Sequence, residues 1–135
     1  MPRKIEEVEG IGPAYALKLN AAGIRTDADL LERAGTPKGM AELSVRANIR
    51  ASLLLKWVNH VDLMRVTGIG PQFAELLEAA GVDTVKELAQ RNAANLAAKL
   101  IETNARRRLC RTNPSESQVA DWIAQAADLD RKILY

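Results

Sequence analysis

Two short segments of this chain could hold an anion without using a charged side chain. Gly10-Ile11-Gly12-Pro13 and Gly68-Ile69-Gly70-Pro71 each open a run of helical character. Two glycines let the backbone take positive φ and let another molecule approach with no Cβ in the way. Proline suits the first helical turn, where its missing N–H would have had no partner. The free amides of that turn, with the positive end of the helix dipole, suit a phosphate. Ile11 and Ile69 are expected to plug each turn into the core. Lys18, Arg50 and Lys56 could add charge. So could the densest basic stretch, Arg106, Arg107, Arg108 and Arg111 with Arg91 and Lys99 nearby. A short basic run is equally often a solvated face, so both readings stand.

Other reactive groups are few. Cys110 lies among arginines, which predicts a lowered thiol pKa, but no histidine is near it in sequence. His60, the single histidine, is expected to sit at the surface or in packing. There is no Gly-x-x-x-x-Gly-Lys loop, no suggestive carboxylate pair and no Cys/His cluster. The chain reads as a binding protein rather than an enzyme, with no metal site of its own.

The elements that must position these residues are helices. Hydrophobic residues make up 47% and aromatics only 4% of the 135 residues, so Ala and Leu carry the apolar share. The class is all-α. A net charge of +2 is too small to argue a polyanion partner by itself. No stretch nears the roughly 20 apolar residues of a membrane span. The opening MPRKIEEVEG lacks the apolar core of a secretory signal. With one cysteine and hence no internal disulfide, the expected compartment is the cytoplasm.

The chain is also duplicated. Residues 8–34 and 66–92 align without a gap at a shift of 58, and 13 of those 27 positions are identical, which chance does not produce. Trp57 pairs with Trp122 at a shift of 65, which implies about seven extra residues in the second copy. The modules are therefore drawn at 3–62 and 63–130, with a basic insertion near 104–114 and LDRKILY as a tail. Gly23 fits a helix C-cap. Thr26 fits an N-cap, Thr84 with Glu87 and Ser115 with Gln118 fit capping boxes, and Pro37 fits a helix start.

The run Gly-Ile-Gly-Pro-x-x-Ala-x-x-Leu-x-x-Ala-Gly, present twice, resembles the helix-hairpin-helix motif of repair and recombination proteins. Residues 46–58 resemble the second hairpin of the tandem form, with Asn48 in place of the usual glycine. Asn is the next-best residue for a left-handed turn. In the second copy, TNPSESQVADWI fills that slot without glycine. Over nearly its full length the chain resembles an uncharacterised bacterial domain family with this duplicated arrangement. The resemblance implies two tandem helix-hairpin-helix (SAM-like) modules packed together. It also implies non-specific contact with DNA phosphates, and a monovalent cation held by hairpin carbonyls is one possible companion.

Two functions follow as expectations. The first is sequence-independent DNA binding through the amides around Gly10–Gly12 and Gly68–Gly70, with Thr67, Lys18 and the four arginines in support. The second is a protein-interaction or self-assembly adaptor on the same scaffold, favoured by Glu6, Glu7 and Glu9 beside the first turn. A helix-turn-helix over 41–57, with Arg50, Ser52, Lys56 and Asn59 facing a groove, is a weaker third. The copies are expected to be alike in fold and unequal in function.

Overall fold

A computed structural model describes residues 2–135. These residues form eight α-helices, one 3₁₀ turn and no strand; the only extended pairing described is an isolated bridge between Lys4 and Thr26. No helix among them is long and apolar enough to cross a membrane. The chain divides into two compact units. One runs to Asp62 and takes in Lys132–Tyr135; the other is Leu63–Arg131.

The first unit opens with the 3₁₀ turn Ile5–Glu7, followed by α1 (Pro13–Ala21), α2 (Asp27–Ala34), α3 (Pro37–Ala47) and α4 (Ala51–Leu63). Its core gathers Ile5, Val8, Ile11, Leu19, Ile24, Leu30, Leu43, Leu54 and Trp57, all nearly fully buried. Tyr15 meets Trp57 edge-on at 5.1 Å between ring centroids, a favoured aromatic geometry. His60 and Asn59 on α4 are both buried. Burial of Asn59 removes the helix-turn-helix alternative, which needed it in a groove.

The second unit repeats the scheme with α5 (Pro71–Ala79), α6 (Val85–Ala89), α7 (Ala93–Arg107) and α8 (Glu116–Asp128). Trp122 sits in a core with Val66, Ile69, Leu77, Val82, Leu88, Leu100 and Val119. Phe73 takes the place of Tyr15, 5.2 Å from Trp122.

Local signals end and begin these helices in matching ways. After α1 the Ile24 amide donates to the Leu19 carbonyl and the Gly23 amide to Asn20, with Gly23 at φ +92°. After α5, Val82 donates to Leu77 and Gly81 to Glu78, with Gly81 at φ +94°. Both are Schellman closures, which need a left-handed residue. Arg33 then bonds the Ala22 carbonyl, and Arg91 the Gly81 carbonyl. Arg91 also pairs with Glu87, so it is spent on structure and not on a ligand.

Thr26 and Asp29 form a full capping box, as do Ser115 and Gln118. At Thr84 the box is displaced: Thr84 accepts from the Glu87 amide, but the Glu87 carboxylate accepts from Asp83 instead. At the shift of 58, α7 runs two residues past the end of α3, and the segment 108–115 that follows it is longer than its counterpart 48–50.

The C-terminal tail was not foreseen as part of the first unit. Leu134 donates its amide to the Gly35 carbonyl, the Tyr135 hydroxyl donates to the Ala34 carbonyl, and Ile133 is buried. Burial pushes the Tyr135 phenol above its usual pKa. A raised acid pKa means the folded state favours the neutral phenol. The tail's contribution is therefore complete below the ordinary tyrosine range, at about pH 10, and fades as pH climbs through the folded value. Ile133→Ala should cost on the order of 2 kcal/mol in urea unfolding. Tyr135→Phe should remove the alkaline loss of stability that the wild type shows.

Candidate nucleic-acid interface

Each Gly-Ile-Gly-Pro turn is built by a hydrogen bond from the isoleucine amide back to a valine carbonyl, Ile11 to Val8 and Ile69 to Val66, both at 3.1 Å. The isoleucine side chains are buried, so neither the amide nor the side chain of Ile11 or Ile69 faces a ligand. Gly10 and Gly68 stand at φ +90° and +100°. A Cβ on either would lie 3.1 Å and 3.0 Å from the indole nitrogen of Trp57 and Trp122 respectively. The first glycine of each turn is thus required by the fold.

At the second turn, the second glycine is not. Gly70 lies at φ −94° and ψ −175°, backbone that any residue adopts. Neither Gly12 nor Gly70 would bring a Cβ within 4 Å of another atom. Both are helix N-caps, and neither α1 nor α5 has a side-chain cap. In contrast α2, α3, α6, α7 and α8 are capped by Thr26, Thr36, Thr84, Asn92 and Ser115. A capping oxygen would occupy the first-turn amides and stabilise the helix by about a few tenths of a kcal/mol over glycine. At the two turns those amides stay open instead.

The surroundings of the two turns differ. Before the first, Glu6, Glu7 and Glu9 are exposed. Lys18 is drawn along the unit to the α3–α4 turn, its Nζ 3.4 Å from the Asn48 carbonyl and 5.7 Å from the Tyr15 ring centre. Asn48 is left-handed at φ 56°. Before the second turn, Thr67 has both backbone groups bonded to the Gln125 side chain, its amide at 2.9 Å and its carbonyl at 3.0 Å. The Thr67 amide is therefore not available to a phosphate, contrary to its place among the candidates.

Arg106, Arg107, Arg108 and Arg111 are all exposed. The first two lie in the last turn of α7, where positive charge also complements the helix dipole. The loop after them reaches α5: the Cys110 thiol lies 3.4 Å from the carbonyl of Gln72, in the first turn of α5. Sequence reasoning missed this contact, which seats the loop between Arg108 and Arg111 against the first turn of α5.

Cys110 corrects another expectation. Burial first, and then the Glu75 carboxylate, push its thiol above the usual value; the neighbouring arginines do not lower it. Alkylation of Cys110 should be slow at neutral pH and accelerate only well into the alkaline range. Glu75→Gln should speed it at fixed pH, as a rate-versus-pH series with iodoacetamide would show.

Over residues 9–129 the chain matches the family model described as a domain of unknown function, DUF4332. No curated protein and no solved structure matches it. With both turns and both tryptophans inside the matched span, the chain belongs to this family of domains of unknown function.

Proposed function

We propose that each unit is a helix-hairpin-helix module and that the protein binds DNA without sequence preference, taking a backbone phosphate at the open N-terminus of α5. The amides of Gly70, Gln72 and Phe73 are the donors. One observation carries this reading: Gly70 has no role in the fold that only glycine could fill, yet it leaves a helix uncapped and unshielded. A turn that served packing alone would have been better closed by Ser, Thr or Asp.

The first turn repeats the Gly-Ile-Gly-Pro sequence, with Gly12 at φ −16° and ψ −179°, but has the wrong charge beside it. An exposed carboxylate about 8 Å from a phosphate costs roughly 0.5 kcal/mol in water. Glu6, Glu7 and Glu9, exposed just before the first turn, oppose the roughly 0.3–1 kcal/mol that a helix terminus supplies. The second unit therefore carries the binding.

A second reading, a protein-interaction module, draws on Leu17 and Val45. These are 71% and 84% exposed on α1 and α3 of the first unit. Self-association without nucleic acid, seen by light scattering, would support it.

Anisotropy of a labelled duplex in rising salt tests the main reading. Affinity is expected near 10⁻⁴ to 10⁻⁶ M and to weaken steeply with salt, as phosphate contacts require. Gly70→Asp separates fold from function. The new carboxylate caps α5 and raises stability by about a few tenths of a kcal/mol, while repelling phosphate and lowering affinity about tenfold. Absence of binding at about 50 mM salt, or a Gly70→Asp protein that binds like the wild type, would overturn the reading.

A further inference from the structure

The positive charge of the second unit is concentrated and fixed in place. Residues 105–115 contain four arginines and no acid. Among the described residues none of the four arginine side chains forms a hydrogen bond or ion pair. A run of that kind is ordinarily a loose, solvated loop, but this one is held by a single side chain. The Asn104 Oδ1 accepts from the Cys110 amide at 2.9 Å. Its Nδ2 donates to the Cys110 carbonyl at 3.1 Å and to the Asn113 Oδ1 at 2.9 Å. Asn104 thereby takes up both backbone groups of Cys110, as a strand partner would. The Cys110 thiol in turn fastens the loop to the first turn of α5 through the Gln72 carbonyl. Pro114 is buried.

The arrangement has a conformational cost. Arg108 sits in the left-handed region at φ 52°, which is unfavourable for a non-glycine residue. Unpaired arginines add nothing to offset it. Ordering them in advance does reduce the entropy lost when they meet a ligand. Repeated negative charge along a strand is the chemistry that four exposed guanidiniums beside an open helix terminus would match. The nearest acids in the chain, Glu102 and Glu116, lie outside the loop, and Glu75 bears on the Cys110 thiol.

We propose that Arg106–Arg111, the last turn of α7 and the loop after it, form a preorganised element binding the nucleic-acid backbone next to the α5 terminus, and that Asn104 is its positioning residue. This rests on the DNA-binding reading above, but on different atoms. The loop supplies charge and the helix terminus supplies directed amides, so adjacent phosphates of one strand are held by two parts of the same unit.

The test compares wild type, Arg108→Ala/Arg111→Ala, Asn104→Ala and Gly70→Asp, with duplex affinity, its salt slope and thermal unfolding measured for each. The arginine pair should lower affinity about tenfold and flatten the slope by roughly 1.8, at about 0.9 per lost phosphate contact. Asn104→Ala removes no charge, yet should also flatten the slope, because the unfastened arginines no longer engage together. A change in melting temperature alone, with affinity and slope intact, would overturn the positioning role of Asn104. An arginine pair that binds like wild type would overturn the loop proposal while leaving the helix terminus standing. A Gly70→Asp protein of unchanged affinity, with the arginine variants impaired, would do the reverse. Failure of the wild type to bind duplex would remove both.

Discussion

In each unit an indole ring lies under the first glycine of the Gly-Ile-Gly-Pro turn, close enough that a methyl group would collide with its nitrogen. That contact fixes how near α4 can come to the turn before α1, and α8 to the turn before α5. The glycine is needed for its positive φ and for its missing Cβ, and the buried tryptophan supplies the surface it rests on. The isoleucine that follows enters the core, with its amide turned back on the preceding valine carbonyl. The direction in which α1 and α5 leave their turns follows from this arrangement, and so does the direction in which their open amides point.

The two glycines of each turn therefore do different things, although they are two residues apart and identical in type. Gly10 and Gly68 belong to the packing. Gly12 and Gly70 stand over open space, and their effect is on the helix terminus. Five other helices spend a side-chain oxygen on the same amides. The termini of α1 and α5 lack such an oxygen, and in the second unit the loop that follows Arg107 touches the first turn of α5 through Cys110.

Much of the scaffold was legible in the sequence because its signals are local. The glycines at the Schellman closures, the threonine and serine N-caps, and Asn48 in the left-handed region each act within a few residues of themselves. The tryptophans could be placed in the core because the repeat aligned them. What was not legible depended on long-range contacts. Thr67 looked available until Gln125, 58 residues away, took both its backbone groups. Cys110 looked activated by its arginine neighbours, but burial and Glu75 govern it. The tail carried no pattern that would attach it to α2, because its main partners are the backbone carbonyls of Ala34 and Gly35.

Alike in architecture, the units differ in where their exposed charges lie: Glu6, Glu7 and Glu9 precede the first turn, while the second unit gathers Arg106, Arg107, Arg108 and Arg111 in one segment, and binding should follow that difference. Amide chemical shifts followed during titration with a short DNA duplex measure it most directly. The account predicts that the largest changes fall on Gly70, Gln72 and Phe73 and on Arg108–Arg111, with Gly12–Tyr15 nearly still. Changes confined to another surface, or equal at both turns, would contradict it.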